Sequence, residues 1–259
     1  MRLACCAYSY RDLLTSRKMS LQEFIRTCAD IGLDGVELTA YYFPNTERAT
    51  LNEIKRTCFQ YGMHISGTAV GNNFAQADAS KRREHVEMTR QWIDNAVILG
   101  APCIRVFAGS VPQGHTEEEA FGWVVECLRE VIEYGAQRGV VVALENHHGI
   151  TATAEQVLRI VRAVQHPWFG VNLDLGNFTG DIYAQFEQLA PHVVTTHAKT
   201  HYRGPNGKHT EVDYERALRI LQKAGYRGYV SIEYEYTEPA EQAVPRFARQ
   251  LRSILQRMA

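Results

Sequence analysis

Short apolar runs typical of β-strands alternate along this chain with segments whose apolar residues recur at helical spacing. The eight strand-like runs lie at 3–8, 35–38, 64–68, 103–107, 140–144, 170–173, 193–196 and 229–232. Eight helical segments follow them, at 21–31, 47–61, 79–99, 117–137, 154–164, 181–189, 214–224 and 240–258. In the fourth of these, Thr116 stands three residues before Glu119, the spacing of a capping box that starts a helix. Strict alternation of strands and helices predicts a parallel sheet covered by helices.

Eight such units in 259 residues predict closure of the sheet into a (β/α)8 TIM barrel, an α/β fold that forms a single domain over 1–259. The alternative is an open α/β sheet that binds a dinucleotide, which requires a G-x-G-x-x-G motif after an early strand. The nearest sequence, from Gly67 to Gly71, lacks that spacing. The barrel is therefore the favoured architecture.

The charge balance and the cysteines indicate which kinds of partner and which cellular compartment are expected for this protein. The chain has 28 Lys and Arg against 29 Asp and Glu, so no basic field is available to attract nucleic acid. Its six cysteines show no C-x-x-C spacing and most lie in apolar segments, which favours buried thiols in a reducing compartment. No run approaches the roughly 20 apolar residues of a membrane span, and the N-terminal run is too short for a secretory signal. We expect a cytoplasmic protein that has a small-molecule partner and binds neither membrane nor nucleic acid.

The active site of a TIM barrel forms at the C-terminal ends of its strands, so the polar residues that end the apolar runs are the candidates. Four consecutive runs end in a carboxylate or an imidazole: Glu145, Asp174, His197 and Glu233. Since about one βα unit separates each from the next, their side chains should converge at one mouth. Other strand ends add further polar residues: Glu37, Thr68, Arg105, His147, Lys199 and Glu235.

Three carboxylates and one imidazole form an oxygen-rich donor set that suits Mn²⁺, Mg²⁺, Co²⁺, Fe²⁺ or Zn²⁺. Without a cation, three crowded acids would repel and raise each other's pKa, so a dication is the physical means of keeping them ionised. A single strand-end acid is more often a helix cap or an ion-pair partner. Four such groups at successive strand ends favour one divalent metal ion bound by Glu145, Asp174, His197 and Glu233.

Several segments resemble the xylose-isomerase-like TIM-barrel family of sugar phosphate isomerases and epimerases. They are GLDGVEL at 32–38, ALENH at 143–147, NLDLGNF at 172–178, THAKTHYR at 196–203, VDYERAL at 212–218 and VSIEYE at 230–235. The resemblance covers nearly the whole chain. It implies that Glu145, Asp174, His197 and Glu233 bind one divalent metal, and that the two glutamates act as paired acid/base groups on opposite faces of the substrate.

The resemblance also implies residues that bind substrate. Some relatives use an arginine six residues beyond the metal-binding histidine to contact substrate oxygens, and Arg203 stands at that position. Many relatives have a histidine three residues after the metal-binding aspartate, where this chain has Asn177. His147, two residues after Glu145, would share its strand face if the strand continued, and is a candidate substitute donor or a group that orients a carboxylate.

The expected reaction is isomerisation or epimerisation of a sugar or sugar phosphate through a metal-stabilised enediolate. Polarising the substrate carbonyl acidifies the neighbouring C–H bond, and one glutamate removes the proton. Return of the proton to the opposite face of that carbon gives an epimer, whereas return to the adjacent carbon interconverts aldose and ketose. Lys199 and Arg105 are candidates for stabilising the enediolate and binding substrate, or for simple ion pairing.

Three other functions remain open. A metal-dependent lyase or dehydratase acting on a keto sugar or inosose would expel a leaving group from the same enediolate. An abasic-site endonuclease shares this barrel, but it carries additional His and Asp ligands for three metals, and near-zero net charge opposes a phosphate-backbone footprint. A non-catalytic polyol-binding barrel would keep its ligand affinity without Glu145 or Glu233. Many relatives form dimers or tetramers, so a homo-oligomer is also open.

Overall fold

Eight parallel strands close into a barrel in a computed structural model that describes residues 1–204 and 207–258. The described strands are β1 (Arg2–Cys6), β2 (Gly35–Thr39), β3 (His64–Ala69), β4 (Cys103–Val106), β5 (Val141–Glu145), β6 (Phe169–Asp174), β7 (Val193–Ala198), β8 (His201–Arg203), β9 (His209–Glu211) and β10 (Tyr229–Ile232). The short β8 and β9 pair antiparallel in a hairpin of their own. The other strands form the barrel in the order β1, β10, β7, β6, β5, β4, β3, β2.

Helices connect the strands and pack against the outside of the sheet. Those described are α1 (Arg11–Thr15), α2 (Leu21–Asp30), α3 (Arg48–Gln60), α4 (Ala79–Leu99), α5 (Glu117–Ala136), α6 (Ala154–Val164), α7 (Ile182–Leu189), α8 (Tyr214–Lys223) and α9 (Ala240–Met258). Neighbouring helices contact each other in sequence around the barrel from α2 to α9. The (β/α)8 TIM barrel expected from the sequence is confirmed.

Local sequence explains where several of these helices begin and end. Thr116 Oγ1 accepts a hydrogen bond from Glu119 N at 3.2 Å, and Glu119 Oε2 accepts one from Thr116 N at 2.8 Å. The capping box expected before α5 is therefore present. At the other end of α4, Gly100 adopts a φ of 80°, a left-handed conformation that glycine takes without steric cost.

The barrel strands are buried on both faces, as expected for a parallel sheet covered by helices. In β6, for example, the five residues from Gly170 to Asp174 are all buried. Apolar side chains fill most of the interior, whereas the C-terminal strand ends carry buried polar groups, among them Glu37, Arg105 and Asp174. All six cysteines are free and buried. Among the described residues, no helix has the length and apolar character needed to cross a membrane.

Two elements lie outside the sequence-based expectations. The run expected to be strand as far as residue 8 ends at Cys6, because Ala7–Tyr10 form a 3-10 helix that leads into the one-turn helix α1. The β8–β9 hairpin falls between two expected units, and its strands of three residues are too short to show alternation. Both elements lie beyond the C-terminal ends of barrel strands, so they surround the mouth where the candidate site was expected.

Removing the threonine hydroxyl of the α5 capping box should weaken the fold without touching the barrel mouth. We expect Thr116→Ala to lower the free energy of unfolding by about 1 kcal/mol, because the N–H of Glu119 loses its acceptor. Urea denaturation followed by circular dichroism measures this change. Glu126→Ala, at an exposed position in the middle of α5, is the control and should change stability by less than about 0.5 kcal/mol. Equal stability of the two variants would contradict the capping argument.

Candidate active site

Four side chains from four neighbouring strands meet at the C-terminal mouth of the barrel. Glu145 and Asp174 are the last residues of β5 and β6, His197 lies in β7, and Glu233 directly follows β10. One ligand atom from each lies within 4.8 Å of the others, and all four residues are buried. The convergence expected from the strand-end pattern is thus present in the fold.

The imidazole of His197 lies at the centre of this cluster. Its Nδ1 atom is 3.4 Å from Glu145 Oε2, 3.4 Å from Glu233 Oε2 and 4.0 Å from Asp174 Oδ2. Its Nε2 atom lies 2.8 Å from Glu37 Oε1 on the opposite side of the ring. One ring nitrogen therefore faces three carboxylates while the other faces a fourth.

Two buried atoms in the cluster lack a hydrogen bond, and both face the same space. Among the described residues, Nδ1 of the fully buried His197 has no hydrogen-bond partner, and Asp174 Oδ2 has none either, although the Lys199 ammonium lies 3.1 Å from it as an ion-pair partner. The second oxygen of Asp174 is satisfied, since Oδ1 accepts from Gly176 N at 2.8 Å. Buried polar atoms are normally satisfied, and an imidazole nitrogen with carboxylate oxygens is a donor set that divalent cations prefer. The four residues therefore fit one divalent metal ion.

Burial and repulsion from neighbouring acids raise the pKa of two carboxyl groups in the cluster. Burial raises the pKa of Glu145 to about 7, although Arg105 and His197 act in the opposite direction. Burial likewise raises the pKa of Asp174 to about 6 against the attraction of Lys199. Since a nearby dication favours the ionised form, its binding would return both groups to their carboxylate state.

In Glu233 and His197, neighbouring charges outweigh the effect of burial on the pKa. Burial alone would raise the pKa of Glu233, but His197 and Lys199 hold it well below its usual value. Burial alone would lower the pKa of His197, but Glu233, Glu37 and Glu145 together hold it well above its usual value. In the absence of another cation, the imidazole thus serves as a positive partner of the acids.

Lys199 brings a second positive charge to the same carboxylates. Its Nζ lies 2.7 Å from Glu235 Oε2, 3.1 Å from Asp174 Oδ2 and 3.3 Å from Glu233 Oε2. Burial alone would lower the pKa of this amine, yet the acids raise it well above its usual value, so the group is an ammonium. Tyr214 fixes the backbone behind it by donating a hydrogen bond from its hydroxyl to Lys199 O at 2.6 Å.

Asn177 connects the lysine to a glutamate. Its side-chain oxygen accepts from Lys199 Nζ at 2.9 Å, and its Nδ2 donates to Glu145 Oε1 at 3.2 Å. The same Nδ2 donates to Asn146 O at 3.0 Å, which holds the amide in one orientation. An amide cannot act as the proton carrier that a histidine at this position could be, but it links two charged groups of the site.

Arg105 is buried behind Glu145 rather than exposed at the mouth. Its Nε lies 3.0 Å from Glu145 Oε2, its Nη1 donates to Val70 O, and its guanidinium covers the ring of Phe107 at 3.9 Å. Only 4% of its surface is exposed. Asn172 Nδ2 adds a hydrogen bond to the same carboxylate oxygen at 3.2 Å. Glu145 is therefore held by several donors that lie within the barrel.

Two expected substrate-binding residues, His147 and Arg203, lie outside the barrel strands. His147 would share a strand face with Glu145 if the strand continued, and this condition is not met, because β5 ends at Glu145. The His147 ring packs instead against Phe107, with centroids 4.7 Å apart, and burial is the main reason that its pKa falls to about 3. Arg203 ends β8, and together with Lys199 and Asn177 it lines a cavity of about 170 Å³ at the mouth.

The sequence reasoning assigned no contact to Glu37, which the fold places against His197. This glutamate is 3% exposed in β2, where every other residue is apolar or small and buried. A charged residue within an apolar strand requires a buried partner, and that requirement is the signal that could have identified it. Its partner lies 160 residues away in the chain, so no local pattern could have named it.

Comparison with known proteins agrees with this fold. A curated protein of Mus musculus named “Putative hydroxypyruvate isomerase” is 29% identical over 167 residues, which span 56% of this chain and only 59% of that protein. Fructoselysine 3-epimerase of Shigella flexneri is 24% identical over 260 residues, covering 89% of this chain and 93% of that protein. A crystal structure of D-psicose 3-epimerase with D-tagatose from Clostridium cellulolyticum H10 has a TM-score of 0.78 and 18% identity, covering 99% and 97% of the two chains.

The match to a protein family extends over most of the barrel. Residues 25–254 match the family model described as a xylose isomerase-like TIM barrel. This range includes seven of the eight barrel strands and all four residues of the candidate metal centre. The chain therefore belongs to the xylose isomerase-like TIM barrel family.

Proposed function

We propose that this chain is a divalent-metal-dependent enzyme that isomerises or epimerises a small sugar, free or phosphorylated, at the carbon next to its carbonyl. The observation that carries the proposal is the convergence of Glu145, Asp174, His197 and Glu233 on one buried point, where His197 Nδ1 has no hydrogen-bond partner in the described part of the chain. The isomerase and epimerase names of the relatives support the same reaction class. A small-molecule sugar as partner and a cytoplasmic location belong to this proposal.

Glu145, Asp174, His197 and Glu233 would hold the metal ion. When bound, the ion polarises the substrate carbonyl and so acidifies the neighbouring C–H bond. The two glutamates come from β5 and the end of β10, on opposite sides of β6 and β7 in the barrel order. Carboxylates that approach a substrate from two sides can remove a proton from one face and return one to the other.

The surrounding residues divide into two groups in this proposal. Lys199, Asn177 and Arg203 line the cavity at the mouth, so they would bind and orient the oxygens of the substrate. Arg105 lies behind Glu145 and would hold that carboxylate in place. His147 packs beside Phe107 as a neutral imidazole, and it would border the substrate rather than bind the metal.

The metal site can be tested before any substrate is known. We expect wild-type protein incubated with Mn²⁺, Co²⁺ or Zn²⁺ and then desalted to retain about one ion per chain, because four buried protein ligands would bind it. Asp174→Ala and Glu233→Ala should lose it, because each removes one ligand. Inductively coupled plasma mass spectrometry measures the ion content. Wild-type protein that retains no ion would contradict the proposed isomerase and the lyase alternative together.

The proton-transfer role of the glutamates predicts a large loss of turnover in conservative variants. At saturating metal, Glu145→Gln and Glu233→Gln should each lower kcat by about 10²–10⁴-fold, because an amide cannot accept the substrate proton. NMR of ketoses in D₂O measures both turnover and incorporation of deuterium next to the carbonyl. Glu126→Gln, exposed on α5, serves as the control and should retain wild-type turnover. Products that have lost water or another leaving group would instead identify a lyase.

The amide of Asn177 should contribute to the same step by holding Glu145 and Lys199. We expect Asn177→Leu to lower kcat about tenfold, equivalent to one hydrogen bond of about 1.4 kcal/mol, while metal content stays unchanged. Steady-state kinetics with parallel metal analysis measure both quantities. Asn52→Leu, exposed on α3, controls for the substitution itself. A loss of bound metal in Asn177→Leu would show that this residue acts on the ligand set instead.

A further inference from the structure

Glu37 contacts the His197 ring at Nε2, the ring nitrogen that faces away from Glu145, Asp174 and Glu233. Glu37 Oε1 lies 2.8 Å from His197 Nε2, and the two side chains are 4% and 0% exposed. This distance is typical of a charge-assisted hydrogen bond in a site that water does not reach. With a proton on Nε2, the imidazole donates this hydrogen bond and a carboxylate oxygen of Glu37 accepts it.

The pairing of β2 with β3 is irregular next to Glu37. The register between β2 and β3 shifts between Val36 and Glu37, so that Val36 lies opposite Ile65 but Glu37 lies opposite Gly67. The extra residue of β3 is Ser66, whose hydroxyl donates to Val36 O at 3.1 Å. Bulges of this kind re-aim neighbouring side chains and recur beside active sites.

Glu37 lies next to the four candidate metal ligands but is not one of them. On the other side of β2, Cys6 of β1 pairs with Glu37 in register, and its thiol lies 3.7 Å from Glu233 Oε1. Glu37 itself contacts the far nitrogen of His197, so its carboxylate and the other three lie on opposite sides of one ring. Its effect on a bound ion must therefore pass through the imidazole.

A proton held on Nε2 leaves the lone pair of Nδ1 directed at Glu145, Asp174 and Glu233. Without an acceptor at Nε2, the neutral ring could take the other tautomer or rotate, and either change would remove that lone pair from the ligand set. Histidines that bind metals commonly donate their second N–H to a carboxylate for this reason. A buried charge at position 37 costs desolvation energy, which a purely structural role could avoid with an apolar residue.

We propose that Glu37 is a positioning residue that fixes the tautomer and orientation of His197 and thereby sets the affinity of the site for its divalent ion. The inference rests on the proposed metal-dependent function, and it adds to that function a residue from a fifth strand. Glu37 has no contact with the substrate in this scheme. Its removal should weaken ion binding first and turnover only as a consequence.

The test compares Glu37→Leu, which removes the acceptor, with Glu37→Gln, which keeps an acceptor oxygen but removes the charge. Competition for Co²⁺ against a chromophoric chelator should show affinity losses of about 100-fold for Glu37→Leu and about tenfold for Glu37→Gln. The visible spectrum of bound Co²⁺ should also change, since it reports the geometry of the coordinating nitrogen. Should Glu37→Leu fail to fold, Glu37→Gln alone carries the comparison.

A control variant distinguishes an effect of the Glu37 substitutions on His197 from a general loss of stability. Tyr226→Phe removes another hydrogen bond of the barrel, from the Tyr226 hydroxyl to Tyr229 O at 2.6 Å, at the end of β10 opposite to the ligand set. It should lower stability in urea while leaving Co²⁺ affinity and spectrum unchanged. If Glu37→Leu, or Glu37→Gln where Glu37→Leu does not fold, binds Co²⁺ within about twofold of wild type and gives the same spectrum, the positioning role is overturned while the proposed function stands. If wild-type protein binds no ion, both are overturned.

Discussion

Closing a parallel sheet into a barrel brings the carboxyl ends of all its strands to one ring, and this constraint governs the chemistry of the chain. Four neighbouring strand ends deliver Glu145, Asp174, His197 and Glu233 to a space less than 5 Å across. Negative charges so close and so deeply buried require positive partners. The positions of Lys199 and Arg105, and the raised pKa of His197, follow from that requirement.

The sequence could predict the fold and the four central residues because both depend on local pattern. Strand periodicity places each residue at a strand end, and barrel closure then brings the ends together without further information. The contacts among Asn177, Lys199 and Glu145 depend on the conformation of loops. Loop sequences show no apolar periodicity, so these contacts could not be predicted from the sequence. The end of β5 at Glu145 is likewise decided by pairing with β6, so His147 could not be placed from its spacing alone.

Polar and charged side chains surround the candidate site in two layers. Arg105, Asn172 and Glu37 lie within the barrel, where they contact Glu145 or His197 of the candidate metal centre. Lys199 and Asn177 lie at the mouth and line its cavity. The inner layer would set how firmly the ligand side chains are oriented, whereas the outer layer would decide which substrate oxygens are accepted.

The β8–β9 hairpin lies between β7 and α8 in the chain, and its described residues pair with each other and, through one bridge at Arg203, with Thr179. No hydrogen bond that closes the barrel therefore passes through its strands. Substitutions in its side chains can reshape the entrance beside Lys199 while the sheet that carries the ligands keeps its pairing. The β8–β9 hairpin can therefore vary during evolution independently of the barrel sheet. New substrate preferences can arise in the hairpin at little cost to folding.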